Sequence, residues 1–196
     1  DIMNYFDQVA TIWNSNTQAN RTFEIYTKLQ RYLPHQKELQ ALEIGSGDGL
    51  LASLLAENFS SIDGVDTSEN MRKVAKARIR KLNIKNITFY PTIPLNKTYD
   101  IIYSLTAFHH ITNLQSTLKN LRSKLNPSGH FYLMDLTKVP PSFHDDFVDF
   151  KGYHGFLREE ITSLFLYAGF NPIHYEIIWQ GKRKEVDFSI FLLEAK

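Results

Sequence analysis

The stretch that decides the fold runs Leu42-Glu43-Ile44-Gly45-Ser46-Gly47-Asp48-Gly49. It begins in an apolar segment, residues 39–44, that is typical of a short buried strand. Residues 50–59 follow with apolar positions at helical spacing. Glycines between a strand and a helix let the backbone turn sharply and approach a ligand without a Cβ clash. Amides near a helix N-terminus bind polar or anionic groups, so this stretch predicts a ligand-binding turn.

Strand and helix patterns alternate along most of the chain. Ser68 can cap the helix after the second strand, and Thr112 with Gln115 has the spacing of a capping box. The predicted strands are residues 39–44, 61–66, 86–90, 99–105 and 130–136, the last preceded by a turn at 126–129. The predicted helices are residues 18–33, 50–59 and the segments that follow Ser68 and Thr112. This order predicts a parallel α/β sheet covered by helices on both faces.

The end of the chain breaks the alternation. Residues 158–168 predict a helix that stops at Gly169, a residue suited to a left-handed helix end. Two strand patterns, residues 173–179 and 185–194, follow with only residues 180–184 between them. So short a link allows only an antiparallel hairpin. The sheet is therefore expected to be mostly parallel, with one antiparallel strand near its edge.

An acid at the end of the second predicted strand strengthens the prediction of a ligand site. Asp66 carries a carboxylate that suits the two hydroxyls of a ribose. Dinucleotide-binding turns place the third glycine five positions after the first, whereas Gly49 lies four positions after Gly45. This spacing, together with Glu43 and Asp66, favours a nucleoside ligand other than a dinucleotide.

Composition excludes several classes of protein. The chain has 22 Lys and Arg against 21 Asp and Glu, so its net charge of +1 provides no general attraction for nucleic acid. The absence of cysteine excludes disulfides, thiolate nucleophiles and Cys-ligated zinc. No apolar run is long enough to span a membrane, and the first residues lack a signal-peptide pattern, so a cytoplasmic location is expected. His144, Asp145, Asp146 and His154 match no defined metal-ligand spacing, and no metal is expected.

These motifs resemble those of class I S-adenosylmethionine-dependent methyltransferases over nearly the whole chain. Glu43 to Gly49 resembles the family's first motif, and Asp66 stands where the family's ribose-binding acid stands. The resemblance implies a Rossmann-like seven-stranded sheet of order 3-2-1-4-5-7-6 with strand 7 antiparallel. It also implies one methyltransferase domain over residues 1–196, with an N-terminal helical cap at 1–34 and an acceptor-site insertion at 137–157.

The resemblance also implies the ligands and the site. The cofactor would be S-adenosyl-L-methionine, and Phe108-His109-His110-Ile111 resembles the small-molecule branch that includes quinone-biosynthesis enzymes. The stretch Tyr90-Pro91-Thr92-Ile93-Pro94 replaces the usual Gly-Asp-Ala, so Thr92 or Ile93 would meet the adenine. The implied cofactor-binding residues are Glu43, Gly45, Ser46, Gly47, Gly49, Asp66, Thr67, Ser68, Met71, Thr92, Ile93 and Ser104.

Histidines are the candidate proton acceptors, because an imidazole with the ordinary pKa of about 6.5 is mostly unprotonated at pH 7. The candidates are His109 and His110, after the fourth strand, and His154, in the long connection after the fifth. The alternative is that these side chains only pack, cap or face solvent. Tyr5, Phe6 and Trp13 either close over the ligands or pack an N-terminal helix. The expected partner is a small-molecule acceptor, without nucleic acid, on a monomer or homodimer.

Three other functions stay open from the sequence alone. A nicotinamide-dependent oxidoreductase is disfavoured by the glycine spacing and the terminal hairpin. An RNA methyltransferase would use the basic helix around Lys73 to Lys81, whose simpler interpretation is a solvated helix face. A non-catalytic module would bind S-adenosylmethionine without turnover. The absence of an [DNS]-P-P-[YF] motif after strand four argues against DNA amine methylation.

Overall fold

A computed structural model describes residues 17–196 of the chain. Residues 1–16, which include Tyr5, Phe6 and Trp13 and much of the predicted N-terminal cap, lie outside this range. The helices are α1 (Thr17–Leu29), α2 (Leu50–Leu55), α3 (Glu69–Lys81), α4 (Leu114–Lys124) and α5 (Arg158–Tyr167). The strands are β1 (Gln40–Ile44), β2 (Ser61–Val65), β3 (Ile87–Tyr90), β4 (Tyr99–Leu105), β5 (Leu125–Leu136), β6 (Pro172–Arg183) and β7 (Val186–Ala195). Short 3-10 segments lie at Ala56–Asn58, Phe108–His110 and Pro141–His144.

The seven strands form one sheet in the order β3-β2-β1-β4-β5-β7-β6. The first five strands are parallel, and β7 runs antiparallel to both β5 and β6. This order confirms the predicted Rossmann-like fold class. Because β1 lies between β2 and β4, the turns after β1, β2 and β4 meet at one edge of the sheet.

Helices cover both faces of the sheet, as the sequence predicts. On one face, Ile25 and Leu29 of α1 and Leu51 of α2 are buried in a cluster that includes Ala41 of β1. On the other face, the apolar sides of α4 and α5 are buried with the neighbouring strand residue Leu42. Successive side chains of a strand point to opposite faces of the sheet. The parallel strands are therefore apolar on both sides, and the sheet lies between two hydrophobic cores.

The terminal hairpin is tighter than the sequence prediction. Strand β6 continues to Arg183, so the predicted link at residues 180–184 is wrong. Only Lys184 and Glu185 join the strands, with φ angles of 48° and 63°. Positive φ at both central residues is the geometry of a two-residue turn whose twist matches that of the flanking strands. Similarly, the predicted turn at 126–129 lies within β5, where a register shift in the pairing with β4 absorbs the extra residues.

The helix ends confirm one of the two predicted caps and contradict the other. The Oγ atom of Ser68 accepts a hydrogen bond from the Met71 amide at 3.2 Å, which confirms the predicted cap. The predicted Thr112–Gln115 capping box is wrong, since α4 starts at Leu114 after Asn113 and has no side-chain cap. At α5, which lacks a polar cap residue, the Glu160 carboxylate accepts from the Leu157 amide at 3.0 Å. No helix within residues 17–196 is long and apolar enough to cross a membrane.

Candidate cofactor and acceptor site

A cavity of about 850 Å³ opens where the turns after β1, β2 and β4 meet. This position, beyond the carboxyl ends of parallel strands, is where open α/β sheets bind ligands. One wall comes from α1, through Gln18, Ala19, Arg21 and Thr22. The sheet side contributes Glu43, Ile44, Gly45, Ser46, Gly47, Asp48, Val65, Asp66, Thr67, Met71 and Arg78, and the segment after β4 contributes Leu105, Thr106, Ala107, His110, Ile111, Thr112 and Asn113.

The three glycines of the turn serve different purposes. All three have positive φ, at 73°, 52° and 76° for Gly45, Gly47 and Gly49. A Cβ at Gly45 would lie 2.1 Å from Cβ of Ala107, and one at Gly49 would lie 2.9 Å from Cβ of Ala75. A Cβ at Gly47 would meet no atom within 4 Å. Gly45 and Gly49 therefore allow close packing, whereas Gly47 keeps the cavity open.

Asp66 joins the turn after β1 to the start of α3. Its Oδ2 atom accepts from the Gly47 amide at 2.8 Å, and its Oδ1 atom accepts from the Ser68 amide at 2.9 Å. Asp66, Thr67 and Met71 line the cavity, whereas Ser68 and Gly49 do not. The carboxylate thus lies at the predicted position and also orders the glycine turn.

A second interaction, from a residue of α3, holds the glycine turn in place, and it was not predicted from the sequence. The Arg78 guanidinium donates from Nη2 to Oδ2 of Asp48 at 2.8 Å and from Nε to the Asp48 carbonyl at 3.0 Å. Arg72 donates to the Asp66 carbonyl at 2.7 Å. Arg72 and Arg78, which belong to the basic helix face expected to be solvated, therefore form hydrogen bonds with residues of the site instead. No local pattern distinguishes them from their neighbours.

Two buried polar groups form the inner end of the cavity. The Glu43 side chain is buried and accepts from the Tyr103 hydroxyl at 3.3 Å. Burial raises the Glu43 pKa well above its ordinary value, and the nearby charges of Asp48 and Asp66 act in the same direction. The Ser46 Oγ atom is buried and has no hydrogen-bond partner within residues 17–196. A cavity with an unpartnered hydroxyl and a glycine facing open space fits a polar, nucleoside-sized ligand.

Besides Gly49 and Ser68, three more of the predicted cofactor-binding residues do not line the cavity. Ser104 is fully buried, and its hydroxyl donates to the Ile44 carbonyl at 2.7 Å, so it joins β1 to β4. Thr92 and Ile93 do not line the cavity. Thr106 lines it instead, with a φ of 51° that is unusual for a β-branched residue. Its amide donates to the Met134 carbonyl at 2.8 Å, which holds this backbone in place.

The structure gives the adjacent His109 and His110 different surroundings. His110 lines the cavity, and burial, reinforced by His109, lowers its pKa below 6.5, while Asp135 acts in the opposite direction. His109 is buried beneath it, with ring centroids 4.1 Å apart. The Nδ1 atom of His109 lies 2.6 Å from Oδ1 of Asp135, and the His109 amide donates to Oδ2 at 3.1 Å. Asp135, at the end of β5, was not predicted from sequence.

His154 does not line the cavity but belongs to a cluster next to it. Its Nδ1 atom lies 3.0 Å from Nδ1 of His144. The His144 ring stacks on Phe150 at 4.1 Å, and burial lowers the His144 pKa to about 4, with the neighbouring histidines adding to the effect. Within residues 17–196, no group of three or more potential ligands is arranged to hold a metal ion. The segment 137–157 therefore contributes a wall of rings behind His109 and His110.

Comparison with known proteins identifies the chemistry associated with this architecture. A family described as a methyltransferase domain matches residues 17–175. An uncharacterized methyltransferase from Alkaliphilus oremlandii is 30% identical over 87% of this chain and 90% of that protein. A malonyl-[acyl-carrier protein] O-methyltransferase from Priestia megaterium is 29% identical over 56% of this chain, which spans 45% of that relative.

The fold is also found among solved structures. The crystal structure of an S-adenosylmethionine-dependent methyltransferase from Clostridium acetobutylicum has a TM-score of 0.65 to this chain, at 16% identity. The similarity covers 96% of this chain and 98% of that one. At this identity the likeness concerns the fold.

Proposed function

The chain belongs to the class I S-adenosylmethionine-dependent methyltransferases, and from that premise we propose that it methylates a small-molecule acceptor. The cofactor is S-adenosyl-L-methionine, whose sulfonium supplies an electrophilic methyl group. The observation that carries the small-molecule proposal is the cavity of about 850 Å³, which is bounded by α1 as well as by the strand ends. Its size is within the range of ligand and cofactor sites.

We assign cofactor binding to the residues that line this cavity. Asp66 would accept hydrogen bonds from the ribose hydroxyls, and Gly47 leaves room for the ligand beside it. The buried Glu43 carboxyl and the unpartnered Ser46 hydroxyl would meet polar groups of the cofactor. Thr67 and Met71 complete the wall next to Asp66.

The protein's main contribution to the reaction is positioning. Holding two reactants in line can remove roughly 7–11 kcal/mol from a barrier. The wall formed by α1 and the segment after β4 would exclude water around the acceptor. His110, whose lowered pKa keeps it neutral at pH 7, would accept a proton from an acceptor that must lose one.

Oxygen is the acceptor atom that we favour. One relative is named an O-methyltransferase, and a hydroxyl acceptor would use the neutral imidazole of His110 as its proton acceptor. The resemblance of Phe108-His109-His110-Ile111 to quinone-biosynthesis enzymes supports the same choice. A cytoplasmic location is part of this proposal, supported by the absence of cysteine.

RNA is the main alternative acceptor. Against it stand the net charge of +1 and the use of Arg72 and Arg78 to order the cofactor turn. An RNA-binding surface would show affinity that falls steeply between about 50 and 200 mM salt. A gel-shift titration with a structured RNA at both concentrations tests this, and tight, salt-sensitive binding would favour RNA as the acceptor.

The decisive experiment combines binding and turnover. Calorimetric titration with S-adenosylmethionine and S-adenosylhomocysteine, with NADH as a comparison, tests the cofactor. A screen of phenols, hydroxy acids and amines for S-adenosylhomocysteine release then tests the acceptor. We expect micromolar binding of the two sulfur ligands and turnover of a hydroxyl compound. Retained binding without turnover of any class would instead support a non-catalytic module.

A further inference from the structure

Arg21 is a partly buried cation whose Nε donor has no hydrogen-bond partner among the described residues. It lies on α1 and lines the cavity. Its Nε atom is buried without a hydrogen bond, and no carboxylate of residues 17–196 forms an ion pair with it. A buried charge without a partner is costly in a folded protein. Such a group is retained where a ligand completes its interactions.

The contacts that Arg21 does make are with two aromatic rings. The guanidinium carbon lies 5.8 Å from the centroid of Trp179 and 5.9 Å from that of Phe188. Trp179 is fixed in turn by donation from its Nε1 atom to Glu24 of α1 at 3.0 Å. Cation–π contacts engage the face of a guanidinium, whereas its five N–H donors lie in the plane. The aromatic contacts hold the group beside the cavity and do not satisfy its Nε–H donor.

The ligand of Arg21 is expected to carry a single negative charge. Arg183, whose charge acts on Arg21, already pairs with Asp146 at 3.1 Å. Burial, followed by Arg183, lowers the Arg21 pKa, while Asp135 partly opposes this without contacting it. One unpaired guanidinium, with its planar fork of donors, matches one carboxylate.

Position in the sheet distinguishes the acceptor from the cofactor as the source of this carboxylate. The glycine turn follows β1, and Asp66 follows β2. The ring partners of Arg21 are on β6 and β7, on the other side of β4 and β5. With strands ~4.8 Å apart, β7 is roughly 14 Å from β1. Arg21 thus lies at the end of the cavity opposite Asp66, on the side where His110 and Asp135 converge.

We propose that the acceptor is a carboxylate-bearing compound and that Arg21 binds its carboxylate. This inference rests on the proposed function, because it names the substrate class of the same site. Arg21 acts as a specificity-determining residue, and His110 stays available for the atom that receives the methyl group.

The test compares acids with their neutral amides on the full chain saturated with S-adenosylhomocysteine. The probes are benzoate, 4-hydroxybenzoate, hexanoate and octanoate, each with its primary amide, titrated by calorimetry. We expect at least one acid to bind tenfold or more tightly than its amide. Arg21→Gln should abolish this preference, Arg21→Lys should retain part of it, and Arg31→Gln, at an exposed arginine, should leave it unchanged.

Two results of the acid and amide titrations would overturn the inference. One is the absence of any acid-over-amide preference in the wild-type chain, a comparison that does not depend on a variant folding. The other is a preference that survives in Arg21→Gln. A third arm distinguishes the cofactor as the source: Arg21→Gln should bind S-adenosylhomocysteine as the wild type does. A tenfold loss there, with no loss for methylthioadenosine, would assign Arg21 to the cofactor carboxylate and also overturn the inference. Failure of the wild type to bind S-adenosylhomocysteine would instead refute the proposed function.

Discussion

The Nδ1 atom of His109 lies 2.6 Å from Oδ1 of Asp135, and both side chains are buried. A carboxylate only accepts hydrogen bonds, so this contact places a proton on Nδ1 of His109. The pair connects the 3-10 segment after β4 to the end of β5 and forms a fixed support under His110. The two adjacent histidines therefore have different environments, one inside the protein and one at the cavity.

The first prediction concerns His110 as the proton acceptor. His110→Ala should lower kcat by roughly 100-fold or more, the usual contribution of a positioned base. Affinity for S-adenosylhomocysteine should stay nearly unchanged. The release of S-adenosylhomocysteine during turnover and calorimetric titration measure the two quantities. His35→Ala, at an exposed histidine, is the matched control.

The pH profile distinguishes proton transfer from packing by His110. Because the His110 pKa lies below 6.5, wild-type activity should persist at neutral pH and fall only as acid protonates the ring. His110→Ala should lack this acidic limb. Full activity of the variant, or an unchanged limb, would remove His110 from catalysis. His109→Ala should also lower turnover, by releasing the support that Asp135 provides.

A second prediction concerns the ribose acid. Asp66→Ala should weaken S-adenosylhomocysteine binding more than tenfold, because hydrogen bonds to a charged group contribute ~1.5–3 kcal/mol each. The variant should remain folded, although it also loses the acceptor for the Gly47 and Ser68 amides. Calorimetry and a thermal melt measure the two effects, with the exposed Asp187→Ala as control. Unchanged affinity would remove Asp66 from the ribose role.

A third prediction concerns Glu43 and the pH dependence of stability. Its folded-state pKa is raised, so the folded protein keeps a proton that the unfolded chain releases above about pH 4.3. The free energy of unfolding should therefore fall as the pH rises from there toward the folded-state pKa. Glu43→Gln cannot titrate and should gain stability relative to wild type over this window, by about 1.4 kcal/mol for each pKa unit.

Urea unfolding of both proteins at a series of pH values between acid and neutral measures this difference. Glu57→Gln, at an exposed glutamate, should follow the wild-type pH dependence. Parallel curves for Glu43→Gln and the wild type would show that Glu43 ionises normally in the folded protein.

The fourth prediction distinguishes the structural role of Gly45 from the ligand-binding role of Gly47. Gly45→Ala places a methyl group against Ala107, so the backbone must shift, and the variant should lose stability beyond the roughly 1–2 kcal/mol strain of a left-handed alanine. Gly47→Ala meets no atom and should cost only that strain. Its methyl group enters the cavity, however, and should weaken cofactor binding. Chemical denaturation with calorimetry on both variants measures these effects. Equal losses of stability in the two variants would contradict this division of roles.

The fold was largely predictable because its signals are local. Strand patterns alternate with amphipathic helix patterns along the chain, and the short link before β7 requires an antiparallel hairpin. The exact turn was not predictable, because Lys184 and Glu185 have side chains that do not indicate positive φ. The capping box at Thr112 was wrong because α4 starts at Leu114, the first of its buried residues, and Asn113 takes the cap position.

The amino-acid sequence by itself determined the alternation of strands and helices, the glycine turn and the position of Asp66, since each depends on neighbouring residues and on the periodicity of short segments. The strand order was implied by the resemblance of these motifs to those of the methyltransferase family. Only the tertiary structure decided which histidine faces the cavity, and it alone brought Asp135 to His109, Arg78 to Asp48 and Arg21 to Trp179 and Phe188. These contacts join side chains far apart along the chain. Their energies depend on burial and on the direction of each donor, which no local pattern encodes.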